Sequence, residues 1–273
     1  MPMKDILIEL GGGRGGDATL NYGLSLATLL DAHATGVAPV GEVDDAYVFA
    51  EAAGVLVQRL SVEMHAAADA LCERFLGAAA TRGVVAEALK TTISSAAGDR
   101  QAAELARHFD LTVVSQPDAQ KSTAEPSILQ AALFGSGRPI LVTPYIQRDP
   151  ASLEHALVAW DGSREATLAL AGALPLLRRA KRVEVTTINA EGLADLPGFN
   201  ITRHLARHGV RAELRRITSD LDIGNALLSH AADVGADLLV MGGYAHSRFR
   251  EVVLGGTTRT VLESATLPVL MAH

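Results

Sequence analysis

The chain has 273 residues, 48% of them hydrophobic and 20% charged, with a formal net charge of -7. That allows one large α/β domain or two of ordinary size. A negative balance with 4% aromatic residues argues against a nucleic-acid surface, and the single cysteine, Cys72, excludes an internal disulfide and metal sites built on cysteine pairs.

Met1 to Asp5 lead straight into an apolar run, which does not read as a signal peptide, and no apolar stretch approaches about 18 residues. A cytoplasmic protein with no membrane contact is expected. Ile6 to Leu10 reads as a strand, followed by a glycine-rich turn and a helix over Asp17 to Leu30. Ala34 to Val40 is strand-like, and a long Ala-rich helix runs from about Asp45 to Ala80, with Val48, Ala52, Val55, Leu56, Leu60, Met64 and Leu71 on a face wide enough for a core and a partner. Val84 to Lys90 alternates as a strand, Asp99 opens a helix through Arg107, and Leu111 to Ser115 is an apolar strand. Ser127 to Leu133 is helical, and Pro139 to Thr143 closes the unit as a strand.

The second half repeats this order. Ala156 to Trp160 is a strand, Asp161-Gly162-Ser163 a turn, and Glu165 to Leu177 a helix. Arg182 to Ile188 is a β-branched strand, and a helix from about Asn200 is stopped by Gly209. Val210 to Ile217 alternates as a strand, and Ser219-Asp220 opens a helix that Gly235 ends. Asp237 to Met241 is an apolar strand. A helix over Thr257 to Ser264 and a strand over Leu267 to Met271 complete the chain. Two stretches align at residue level: Ala103 to Val114 with Ser229 to Val240, and Gly137 to Val142 with Ala265 to Leu270. Each half is a βα repeat with five near-continuously apolar strands, the mark of a parallel sheet covered on both faces. The seam lies near Pro144 to Ser152, between domains spanning 1–147 and 152–273.

In an open parallel sheet, ligands lie at the C-terminal ends of the strands. After the fourth strand of the second half, Gly242 and Gly243 open a segment that ends in Gly255-Gly256-Thr257-Thr258 at a helix start. Backbone N–H groups at a positive helix end, with threonine hydroxyls beside them, are equipment for phosphate oxygens. A glycine stop followed by a threonine cap, with nothing bound, is the alternative. The equivalent segment of the first half, Ser115 to Pro126, has no glycine. Its Asp118 and Glu125 repel phosphate, and Pro117 and Pro126 each lack an N–H, so no nucleotide is expected there.

These features, with Ala159-Trp160-Asp161-Gly162-Ser163 after the first strand, resemble the universal stress protein family. Its nucleotide-binding members carry Gly-x2-Gly-x9-Gly-Ser/Thr after strand four. The resemblance covers nearly the whole chain, in the manner of tandem members. It implies two doubly wound five-stranded parallel-sheet domains of the adenine nucleotide alpha hydrolase-like, Rossmann-like type. Gly242 and Gly255 match the motif, Ala245 stands at its second glycine and Gly256 at its hydroxyl position. By the resemblance Asp161 lies near the nucleotide, the Ile188 backbone reads the adenine edge, and Gly242, Gly255, Gly256 and Thr257 line the phosphates, with Thr258 adding a hydroxyl. The cofactor so implied is ATP, with Mg when bound. A positive φ at Ala245 would cost about 1 kcal/mol or more. Arg248 could pair with a terminal phosphate or stand solvated. Single domains of the family pair through the last strand. Here Pro139 to Val142 can meet Pro268 to Met271 within one chain, which leaves a monomer with pseudo-two-fold symmetry or a further homodimer.

Other patterns are weaker. Gly11 to Gly16 satisfies G-x-G-x-x-G between a strand and a helix, but Glu42 and Asp44 lie past the roughly 20-residue spacing of a dinucleotide site. His204 and His208 share a helix face without a third metal ligand, Trp160 reads as a core aromatic, and there is no nucleophile elbow. Three readings stand: a non-catalytic stress-type protein with ATP in its second domain, an interaction or scaffold protein of the same fold that binds no nucleotide, and an NAD-binding oxidoreductase using Gly11 to Gly16.

Overall fold

Ten apolar runs become ten strands in the computed structural model, which describes residues 2–11, 15–41, 51–93, 98–117, 128–189, 200–244 and 256–273. The first half contains β1 (Asp5–Glu9), α1 (Gly16–Leu30), β2 (His33–Gly41), α2 (Glu51–Arg82), β3 (Ala86–Ile93), α3 (Gly98–Ala106), β4 (Leu111–Ser115), α4 (Ile128–Gly135) and β5 (Ile140–Thr143). The second contains β6 (His155–Ala159), α5 (Arg164–Leu177), β7 (Arg182–Ile188), α6 (Ile201–Arg207), β8 (Ala212–Ile217), α7 (Ile223–Asp233), β9 (Leu238–Gly242), α8 (Gly256–Ser264) and β10 (Val269–Ala272). Gly209 and Gly235 follow α6 and α7 with positive φ, as their place after a helix requires. The expected starts of the long helix at Asp45 and of the helix at Ser127 lie outside the described residues.

All strands share one sheet in the order β3-β2-β1-β4-β5-β10-β9-β6-β7-β8. Every neighbouring pair is parallel except β5 and β10, which run antiparallel with Leu141 opposite Leu270. The last strands of the halves therefore pair within one chain, about a pseudo-two-fold axis. Apolar side chains on one face join α1, α2, α5 and α6, with Leu24, Phe75, Leu170 and Leu205 at 3% exposure or less. On the other face Ala103, Leu133, Ala231 and Val261 come from α3, α4, α7 and α8. Both cores continue across the join, because strands buried on two faces leave no polar seam at β5 and β10.

The two-fold corrects the residue alignment of the halves. Leu141 maps on Leu270, and Thr112 and Leu239 hold the same place beside β5 and β10. Leu111 is thus equivalent to Leu238 rather than Asp237, one residue from the alignment read from sequence. Asp110 and Asp237 prove the shift: the Asp110 carboxylate accepts from the N–H groups of Lys4 and Asp5, and Asp237 accepts from those of Glu154 and His155. A slip of one residue would turn every strand side chain to the opposite face.

The start of α7 also differs from expectation. Asp222, not Ser219-Asp220, caps it, accepting from Asn225 N–H, while Ser219 exchanges two hydrogen bonds with Asn189 at the end of β7. Among the described residues no helix is long and apolar enough to cross a membrane, and no group of three or more His, Cys, Asp and Glu is placed to hold a metal ion.

Candidate functional site

Strand order reverses direction between β1 and β4 in the first half and between β6 and β9 in the second. A doubly wound sheet opens a crevice at such switch points, beyond the strand C-termini. The two crevices have the same backbone frame and different contents.

In the second half the crevice lies between the β6 exit, Trp160-Asp161, and the β9 exit, Gly242-Gly243. Gly242 is required by a close approach: a Cβ there would stand 2.6 Å from Ala166 N and 2.8 Å from the Glu165 carbonyl carbon, at the first turn of α5. That turn is capped by Ser163, whose Oγ accepts from Ala166 N–H at 3.1 Å, and Asp161 Oδ1 accepts from Ser163 N–H at 2.9 Å. Asp161 remains exposed at the rim. Ile188 ends β7 with its side chain buried against Ala226 and Leu227 of α7. Asn189 follows with a φ of 48° and turns the chain away.

Across the crevice α8 begins. Gly256 is exposed, and no described atom outside its own helix and chain neighbours lies within 4 Å of where its Cβ would stand. Thr257 is half-buried, and the first turn of α8 holds no acidic residue. Thr258 is buried, with its Oγ1 accepting from Tyr244 N–H at 3.0 Å. Its hydroxyl oxygen thus holds the end of β9 against α8. Tyr244 has a φ of 59°, and burial pushes its phenol up to about 12. Asp161 and Gly242 thus lie at the exits of the neighbouring strands β6 and β9, Ile188 ends the next strand β7, and α8, which starts with Gly256 and Thr257, is tied to the end of β9 through Thr258. Ala245, Arg248 and Gly255 lie outside the described residues.

Glu165 was not singled out from sequence. Its side chain is only 12% exposed, lies against Gly242 and pairs with Arg164 at 3.5 Å. The available signal was its place in the first turn after a Ser cap, which marks a helix start and not a site.

In the first half Glu9 and Ser115 hold the places of Ala159 and Gly242. The Glu9 carboxylate reaches across the crevice to accept from Ser115 N–H at 2.8 Å, and Thr19 Oγ1 lies 3.0 Å from Ser115 Oγ. A carboxylate bonded at the β4 exit opposes a phosphate there. Residues 1–147 also carry 17 Asp and Glu against 10 Lys and Arg, and the remainder is balanced. Gly15, in the run considered for a dinucleotide, lies against the same Ser115, with 3.4 Å between its would-be Cβ and Ser115 Cβ; Gly12 to Arg14, Glu42, Asp44 and residues 118–127 lie outside the described residues.

The sheet order, the covered faces and the C-terminal crevices define a doubly wound α/β protein of two fused five-stranded halves. Residues 153–273 match the model of the universal stress protein family. Over 141 residues the chain is 30% identical to universal stress protein Slr1230 of Synechocystis sp. (strain ATCC 27184 / PCC 6803 / Kazusa), a match covering 49% of this chain and 46% of that protein. The match thus spans about half the length of this curated relative. The crystal structure of a universal stress protein from Archaeoglobus fulgidus DSM 4304 aligns over 98% of this chain and 97% of its own, at 15% identity and a TM-score of 0.73. A functionally unknown protein from Pseudomonas aeruginosa PAO1 aligns over 98% and 92%, at 15% identity and a TM-score of 0.56. These two structures establish the fold. Residues 153–273 thus carry the match to the universal stress protein family, and the whole chain shares the fold of these structures.

Proposed function

We propose that the chain is a non-catalytic stress-type protein of two domains, 1–147 and 152–273, whose second domain binds an adenine nucleotide, ATP with Mg. The observation that carries this reading is the contrast between the strand exits: the Glu9 carboxylate is bonded to Ser115 N–H at the first, whereas Ala159 stands in the place of Glu9 at the second and the carboxylate beside Gly242, that of Glu165, is paired with Arg164. Gly242, Gly256 and Thr257 would hold the phosphates by backbone N–H groups and one hydroxyl at the positive end of α8, with Gly255 beside them. Asp161 would face the ribose side, the Ile188 backbone the adenine edge, and Ala245 would stand at the phosphate rim. Bound ATP brings charge that fixed N–H donors can compensate; among the described residues no nucleophile with an adjacent base lies at this crevice to consume it.

One observation favours the alternative, an interaction protein of this fold that holds no nucleotide. Thr258 is buried with its Oγ1 on Tyr244 N–H and Gly256 has no hydroxyl, so among the described residues Thr257 is left to present one at the exposed helix start. Titration calorimetry with Mg-ATP separates the two. Wild type should take up one ATP per chain, and Gly256→Glu should weaken it at least about tenfold. An acid at a helix start favours the fold, so the loss reports phosphate repulsion. No uptake up to millimolar ATP would leave the interaction protein as the function.

A further inference from the structure

Helix α8, whose start would form the phosphate side of the proposed site, is bonded by the first half at its C-terminal end and reached by it through Tyr244 at its N-terminal end. At its C-terminal end the buried Gln116 amide, just beyond β4, donates from Nε2 to Leu262 O at 2.9 Å and to Ala265 O at 3.2 Å. Its Oε1 accepts from Tyr145 N–H at 3.2 Å, which fixes the amide orientation. The last carbonyls of a helix have no partner within it, and here the other half of the molecule provides one. At the N-terminal end Thr258 Oγ1 holds Tyr244 N–H, and the Tyr244 ring packs at a 52° tilt against Phe134 of α4 with centroids 4.9 Å apart. Phe134 also meets the His273 ring edge-on at 5.0 Å, and His273 Nδ1 donates to Gly243 O at 3.0 Å. Leu133 of α4 lies 3.5 Å from where a Gly243 Cβ would stand.

The pseudo-two-fold explains why both contacts exist. Gln116 and Gly243 are equivalent positions, each donating its N–H to the last strand of its own half, at Thr143 O and Ala272 O. Each leans on the fourth helix of the other half. The chemistry has diverged: a long amide on one side, a glycine followed by an aromatic stack on the other.

We propose that the first half positions the anion-binding start of α8, with Gln116 and Phe134 as positioning residues that touch no ligand. This rests on the nucleotide reading for its consequence, though not for its geometry. Backbone donors must be held to within about 0.5 Å to serve a bound group, and α8 is only nine residues long in all. The first half, with the Glu9 carboxylate bonded at its own β4 exit, would thus act on the site of the second.

The full chain is tested as wild type, Phe134→Ala, Gln116→Ala, Phe134→Tyr and Ser25→Ala. Ser25 Oγ accepts from Ala151 N–H, a contact between α1 and the segment joining the halves, and serves as the control. Mg-ATP affinity should fall by at least about fivefold in the two anchor-to-Ala variants, the lower range of coupling between sites. It should stay within about twofold of wild type in Phe134→Tyr, which keeps the ring, and in Ser25→Ala. Equal loss in Ser25→Ala would mean general destabilisation and overturn the proposal, as would unchanged affinity in both anchor variants. If wild type takes up no ATP, the nucleotide reading fails and amide hydrogen exchange decides the clamp. Tyr244 and residues 258–262 should exchange faster in Phe134→Ala and Gln116→Ala than in wild type and Ser25→Ala; wild-type rates would overturn it.

Discussion

Glu184 sits on β7 with its side chain 1% exposed, where a carboxylate must be paired to stay ionised. His230 Nε2 of α7 donates to its Oε1 at 2.5 Å, and Thr186 Oγ1 donates to the same oxygen at 3.1 Å. Arg182 of β7 and Arg215 of β8 lie at 3.4 and 3.7 Å, and Glu213 of β8 shares Arg182 at 3.7 Å. Burial raises the Glu184 pKa, but the hydrogen bonds from His230 and Thr186 and the nearby positive charges outweigh it, so the net shift is down from 4.5. A carboxyl held below its unfolded value stabilises the fold above that value and loses the contribution as pH falls through the folded one. Glu184→Gln should therefore cost about 2 kcal/mol at neutral pH, the scale of a hydrogen bond to a charged group. Its gap from wild type should narrow as pH falls below 4.5, as read from urea midpoints. A gap of constant size across that range would show that ionisation of Glu184 adds nothing. The acidic residue and its histidine are 46 positions apart, and neither stood out in the sequence as a pair.

At the scale of elements, helix stops were more legible than starts. A glycine after the last turn answers a local backbone need, and Gly209 and Gly235 sit where expected. A start depends on which of several polar residues turns its side chain back on the helix. Asp222 takes the cap because its carboxylate reaches Asn225 N–H, whereas the Ser219 hydroxyl is spent on Leu221 N–H in the turn before the helix and its backbone is bonded to Asn189. Ser163 caps α5 at the crevice, and Ser163→Ala should lower stability by about 1 kcal/mol in chemical denaturation. No loss would show that the Asp161 turn alone holds that end. The long helix α2 has a geometric limit: its 32 residues extend about 48 Å, whereas the 9 residues of β2 reach about 30 Å. Ala68, Phe75 and Ala79 are buried, Met64 and Leu71 pack partly, and Val55 on the expected apolar face is exposed.

For the whole molecule, the join of β5 and β10 makes one sheet of two halves. Val142, Leu141 and Ile140 face Val269, Leu270 and Met271, so the pairing is apolar on both faces. Residues 152–273 produced alone would expose β10 as an edge, and an exposed apolar edge is a template for another strand. The separated second half should form a homodimer with Leu270 near the axis, an isologous contact of the kind two-fold symmetry requires. Sedimentation at micromolar concentration should give twice the domain mass; a monomer would show that the join needs the first half's own strand.

Element order, the duplication and the switch-point location of the crevices were legible in the sequence, because apolar periodicity and glycine stops are local signals repeated in each half. Register was not: the halves align by eye one residue out, and only the Asp110 and Asp237 bonds with the strand partners correct it. Nor was the bridge from Glu9 to Ser115, 106 positions away, or the grip of Gln116 on Leu262, 146 positions away. Such bonds depend on side chains that meet only after the sheet has formed, so they leave no periodic trace. Sequence alone therefore determined a doubled α/β chain with its ligand edges. Tertiary structure decided where the Glu9 carboxylate is spent, how Thr258 is used, and that Gln116 of the first half bonds the end of α8 in the second.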